Sequence, residues 1–120
     1  MARPLDLIVE EMLDYIEQAR AYAQDMTFEQ YLADQKTQRA VERCIEVVSE
    51  ASRHIPDEIK SRHPQIPWVD VAGIGNILRH EYHNVAARIV WETVRVHLPQ
   101  LLAVVRAIEA ELPGDGDQPV

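Results

Sequence analysis

Apolar residues recur at three- and four-residue intervals along almost the whole chain, and this period decides what the chain can fold into. Leu5, Ile8, Val9, Met12, Leu13, Ile16, Ala19 and Tyr22 make one stripe over residues 4–24. Ala40, Val41, Cys44, Ile45, Val47, Val48, Ala51 and Ile55 make a second, which Pro56 ends. Strand-like alternation and internal repeats are absent, and only four glycines interrupt the pattern. The period therefore predicts an all-α fold, a bundle of four to five helices joined by short loops.

The connections can be placed by their punctuation. Asp25-Met26 breaks the first stripe, and Thr27-Phe-Glu-Gln30 has the form of a capping box that opens a short helix holding Phe28, Tyr31 and Leu32. Asp34 is positioned to cap the second long helix. Pro56-Asp-Glu-Ile59 reads as a turn and a short helix, and Pro64-Gln-Ile-Pro67 predicts an extended segment. A third long helix is expected from about Trp68 to Tyr82, ended by Asn84 in the left-handed conformation. A fourth is expected from near Ala86, carrying Ile89, Val90, Val94 and Leu98. Pro99 fits the first turn of a fifth helix, or a kink, leading through Leu101, Leu102, Val105 and Ile108. Residues 1–112 are expected to form one domain and residues 113–120 a mobile tail.

A chain of 120 residues suits one core and not two. No window approaches a membrane-spanning apolar run, and Glu10-Glu11 interrupts the N-terminal segment too early for a signal peptide. Cys44 is the only cysteine, which excludes an intrachain disulfide and a cysteine metal cluster. These features predict a cytoplasmic protein. The net charge of −8 argues against a broad duplex-binding surface. Its distribution is uneven: residues 35–100 hold nine basic and eight acidic side chains and all five histidines. A small RNA site in that middle stretch is compatible with the charge.

The densest polar cluster is Asn76-Ile-Leu-Arg-His-Glu-Tyr-His-Asn84. In a continuous helix Asn76, His80 and His83 fall at i, i+4 and i+7 and share one face. Histidine exchanges protons near neutral pH, and an adjacent amide can orient a phosphate or ribose, as RNA cleavage through 2′-hydroxyl attack requires. A solvated helix end, with His and Arg79 favouring the negative end of the dipole, explains the same pattern. His80 and His83 could face one zinc ion, but no motif supplies a third ligand. Trp68 and Trp91 are expected to anchor the core, and Cys44 to be a small buried residue. Glu50 lies among Val47, Val48 and Ala51, so it is either held by a partner or functional, with the structural role favoured.

Together the segments Phe28-Glu-Gln-Tyr-Leu, Gln38-Arg-Ala-Val-Glu, Val48-Ser-Glu-Ala-Ser, Pro64-Gln-Ile-Pro-Trp, Ala72-Gly-Ile, Asn76-Ile-Leu-Arg-His-Glu-Tyr and Ile89-Val-Trp-Glu-Thr-Val resemble, in unbroken order over about residues 5–110, the HepT-like branch of the HEPN superfamily. The resemblance implies an all-α homodimer with a cleft between protomers, acting as the RNA-cutting toxin of a bacterial toxin–antitoxin pair. It implies no metal and no cofactor. The implied partner is a minimal nucleotidyltransferase (MntA-type) antitoxin that silences the toxin by transferring AMP to a tyrosine.

The family motif is an Arg, usually followed by a polar residue, with four to six residues before His-x-Tyr. By position His80 is the motif histidine, Tyr82 the motif tyrosine and AMP acceptor, and Asn76 the polar residue. The Arg position holds Gly75. Glycine offers no donor to a phosphate, whereas Arg presents a planar fork of them. Arg79 immediately precedes His80, does not fit the motif spacing, and points about 100° away from it on a helix. Gly75 also costs roughly 1 kcal/mol of helix propensity relative to Ala. Ribonuclease activity is thus expected to be impaired, with Arg79, His83 and Glu50 as auxiliary candidates. The alternative is a catalytically inactive helical module that dimerises and engages the nucleotidyltransferase.

Overall fold

The computed structural model describes residues 4–112; the expected tail at 113–120 lies outside them. Five helices of ten residues or more make up the architecture: α1 (Leu5–Ala23), α3 (Gln35–Ser52), α5 (Trp68–His80), α6 (His83–Glu92) and α7 (Leu98–Glu111). Two short ones, α2 (Phe28–Ala33) and α4 (Asp57–Lys60), connect them, and a π-helical turn, Thr93–His97, joins α6 to α7. No strand occurs among the described residues. The all-α expectation holds, and the bundle is elongated, 52 × 26 × 26 Å.

The two long stripes meet. Ile8, Val9, Met12, Ile16 and Ala19 of α1 and Val41, Cys44, Ile45, Val48 and Ala51 of α3 are all buried in one core, completed by Leu101, Leu102, Val105 and Ile108 of α7. Burying each larger aliphatic side chain contributes about 1.5–3 kcal/mol, so this seam dominates the stability. Cys44 is buried as expected, and burial pushes its thiol up, away from the reactive thiolate. Tyr22, by contrast, leaves the stripe for solvent, where its hydroxyl donates to Gln18 Oε1 at 3.3 Å.

Both predicted caps form. Thr27 Oγ1 accepts from the Gln30 amide at 3.1 Å while Gln30 Oε1 accepts from the Thr27 amide at 2.9 Å. Asp34 Oδ1 accepts from the Thr37 amide at 3.1 Å, and these bonds hold the Asp34 carboxyl below its usual range. Buried Gln38 then ties α2 to α3, its amide donating to the Tyr31 and Leu32 carbonyls at 2.8 and 2.9 Å. Each of these bonds satisfies a backbone group that the end of a short helix would otherwise leave open.

Other expectations are corrected. The second stripe outlasts its helix: α3 ends at Ser52, and Ile55 reaches the core through tight bonds such as His54 N to Ala51 O, 3.0 Å. Residues 61–67 are turned, not extended; Trp68 N bonds Ile66 O at 2.9 Å, and this bending sinks Ile66 into the core. The third long helix stops at His80, and Asn84 ends nothing, because α6 already begins at His83 and none of the described residues has positive φ. Glu81 and Tyr82 are extended instead (φ −99°, ψ 154° and φ −63°, ψ 151°).

Pro99 sits in the first turn of α7, as one of the two expected readings had it. Its missing N–H and ring would disrupt an ordinary helix, and the preceding residues switch register, with Leu98 N bonding Thr93 O five residues back. Trp68 and Trp91 pack against the core, but neither is fully buried. Trp91 meets the rings of Phe28 and Tyr31 at 5.9 and 5.4 Å, and the Arg95 guanidinium covers it at 4.3 Å.

Candidate active site at the α5–α6 break

The polar cluster falls on the least buried helix of the bundle. Only one side of α5 meets the core: Val71, Ile74 and Leu78 are partly buried there, and no residue of the helix is fully buried. The 3.6-residue period then sends Val69, Gly73, Asn76 and His80 to the opposite side, with Ile77 at the edge between the two. Val69 is 86% exposed, and Asn76, Ile77 and His80 are also exposed.

One carbonyl fixes this helix laterally. Ala72 O accepts from Ser49 Oγ of α3 at 3.0 Å and from Nε and Nη2 of Arg53, the residue just past the end of α3, at 3.2 and 2.8 Å. Glu50 supports the clamp from outside. Its carboxylate is exposed, lying 3.9 Å from Arg53 Nη1 and 3.5 Å from His54 Nε2. The expectation of a carboxylate on an apolar face is corrected, because α3 carries Glu50 past the edge of its buried stripe to the rim. Neither Ser49 nor Arg53 stood out in the sequence, where both read as ordinary helix-surface residues.

Asn76 and His80 lie one turn apart on the same face, as the spacing predicted. His83 does not join them, because the helix breaks at Glu81-Tyr82 and His83 opens the next one. The i+7 relation holds only along a continuous helix. Tyr82 occupies the break itself, 86% exposed, with its carbonyl accepting from the Ala86 amide at 2.8 Å. Arg79 and His80 both stand in the last turn of α5, where positive charge is favoured by the dipole. Beneath α5, a groove of about 300 Å³ runs between Val71, Ile74 and Ile77 on one side and Ile89, Leu98 and Leu101 on the other. The described residues contain no group of three or more His, Cys, Asp or Glu able to hold a metal ion, and no helix among them is long and apolar enough to cross a membrane.

Neither glycine of α5 is required by its surroundings. A Cβ added at Gly73 would meet nothing within 4 Å, and one added at Gly75 would meet only Arg79 Nη1, at 3.9 Å. Neither has positive φ. The usual reasons for glycine, close approach and a left-handed backbone, are absent at both positions.

The molecule is thus an all-α bundle that displays Asn, Arg, His and Tyr side chains around an exposed helix break. Residues 12–108 match the family described as Ribonuclease HepT-like, and the chain belongs to that family. A protein of Thermococcus cleftensis named a probable ribonuclease HepT is 39% identical over 93 residues, covering 78% of this chain and 84% of the relative. A protein of Methanocaldococcus jannaschii provisionally named an RNase is 32% identical over 113 residues, covering 94% of this chain and 90% of the relative. Another with such a name, from Caldanaerobacter subterraneus, is 34% identical over 104 residues, covering 87% and 89%. The relatives thus include archaeal proteins, a wider range than the bacterial setting that the resemblance implied. No solved structure gives a significant match.

The open space at position 75 has a direct consequence for stability. Gly75→Ala is expected to stabilise the fold by about 1 kcal/mol, since Ala restores helix propensity and restricts the unfolded chain. Urea denaturation should show a raised midpoint with an unchanged slope. A lowered midpoint would mean that something packs over residue 75 in solution.

Proposed function

We propose that this protein is an RNA endonuclease of the HepT type, the toxin half of a toxin–antitoxin pair, acting in the cytoplasm and slowed by Gly75. Membership in a ribonuclease family carries the reading, together with Asn76 and His80 on consecutive turns of an exposed helix face. In this mechanism the ribose 2′-oxygen attacks the adjacent phosphorus, forming the cyclic phosphodiester as the bond to the 5′-oxygen breaks. His80 serves as the acid or base that moves the proton, and Asn76 orients the phosphate or ribose. Neither step calls for a metal or a cofactor. A motif Arg would hold the phosphate and offset the charge that builds on it; Gly75 does neither.

The active form is a homodimer in this reading, with the site in a cleft between copies. Support comes from the outward face of α5, where Val69 and Gly73 lie beside Asn76 and His80. Light scattering at micromolar concentration should give twice the monomer mass. A monomer under those conditions would remove the shared cleft.

Tyr82 is the AMP acceptor for a minimal nucleotidyltransferase antitoxin. The phenol is 86% exposed on a helix break, where a second enzyme can reach it without unfolding anything. Incubation with the nucleotidyltransferase and ATP should add AMP to the peptide containing Tyr82. Undiminished transfer to Tyr82→Phe would place the acceptor elsewhere.

The decisive test is at position 75. Gly75→Arg should raise cleavage of RNA in EDTA, by as much as about 10² to 10³ where no other donor already grips the phosphate, and adding His80→Ala should abolish it. The helix is already formed there, and the first carbon of the new side chain meets only an ordinary contact with Arg79. If neither the natural chain nor Gly75→Arg cleaves RNA while both remain folded dimers, the protein is a binding module for the nucleotidyltransferase and not a nuclease.

A further inference from the structure

We infer that Arg79 supplies the guanidinium that position 75 lacks, gripping the RNA phosphate from one helical turn further along α5. This rests on the ribonuclease reading and names a residue that the motif spacing passes over.

Three observations carry it. The first is direction. Residues four apart on a helix are only about 40° from each other in projection, so Arg79 leaves α5 on nearly the bearing that a side chain at 75 would take. Asn76 and His80 form the adjoining row, about 100° round. Thus Arg79 stands to His80, in angle, much as residue 75 stands to Asn76.

The second is reach. Helical side chains lean toward the N-terminus, over the preceding turn. Arg79 does so here: its Nη1 lies 3.9 Å from the point where a Cβ at residue 75 would stand. Beyond the adjacent residues and the helix's own backbone nothing else lies within 4 Å of that point, so the guanidinium lies against the open surface at residue 75. Glycine at 75 leaves this position uncrowded.

The third is availability. The cations Arg43, Arg53, Arg62 and Arg106 pair with carboxylates, and Arg88 and Arg95 lie over the rings of Phe28 and Trp91. Arg79 has no hydrogen bond, ion pair or ring contact among the described residues. Its fork of donors is exposed and open to a phosphodiester, whose non-bridging oxygens it fits in bidentate fashion. In the cleavage step Arg79 forms and breaks no covalent bond; it offsets the charge that gathers on those oxygens as the 2′-oxygen attacks.

The test is a relocation experiment, with a fluorescent single-stranded RNA in EDTA under single-turnover conditions and far-UV circular dichroism to verify folding. Arg79→Ala should reduce the natural chain's cleavage by about 10² to 10³, and Arg79→Lys, which keeps the charge but loses the fork, should fall between. Gly75→Arg combined with Arg79→Ala should recover what Arg79→Ala loses. Cleavage that is undiminished in Arg79→Ala but absent in His80→Ala would overturn this inference and leave the ribonuclease reading standing. So would a natural chain that is inert while Gly75→Arg cleaves. If no variant cleaves, the ribonuclease reading falls and this assignment falls with it.

Discussion

One backbone oxygen fixes the site-bearing helix to the bundle beside the side chains that it packs against the core. The Ala72 carbonyl collects the Ser49 hydroxyl and two nitrogens of Arg53, and the other anchors of α5 are four partly buried side chains, Trp68, Val71, Ile74 and Leu78. Ser49 is buried, so its hydroxyl needs this partner; an unpaired buried hydroxyl costs roughly 1–3 kcal/mol. Arg53 is about half exposed, so solvent screening reduces what its bonds contribute. The clamp acts mainly as a register device. It sets the height and rotation of α5 on α3, and thereby which α5 residues face outward.

That arrangement divides the molecule into a stiff part and a lightly held part. The α1–α3–α7 core is apolar, and Asp34 caps the start of α3. On α5 the inward face covers the core incompletely, leaving a groove of about 300 Å³ with half-exposed Ile77 at its rim, and the outward face shows Val69 to solvent. No side chain of α5 is fully buried, so this helix adds less to the core than α1, α3 or α7 does. Such a helix suits a site that a second chain completes, since docking can supply the contacts that the isolated fold leaves out.

Legibility in the sequence follows the same division. Where a stripe faces a closed core, its period and its capping side chains were readable: Thr27, Gln30 and Asp34 act as their types suggest. The α5–α6 break was misplaced by a few residues because it carries no capping signal. Tyr82 makes no side-chain cap, and the chain turns through two extended residues without the left-handed one expected at Asn84. That small displacement separated His83 from Asn76 and His80. The π turn was hidden for a related reason, since Pro99 marks where a helix must adjust but not how. Glu50 misled because a residue at the edge of a buried stripe has the same neighbours in sequence as one at its centre.

Position 75 illustrates a limit of reading a helical site by residue number. A motif written as a spacing treats the residue one turn later as a different place, yet a side chain acts at its tip. An extended Arg spans about one helical turn, and helical side chains lean backward, so a guanidinium rooted at 79 reaches the level of residue 75. Glycine at 75 leaves out the bulk that would compete for that space. On the helix surface the side chain at 79 therefore stays uncrowded because residue 75 has none.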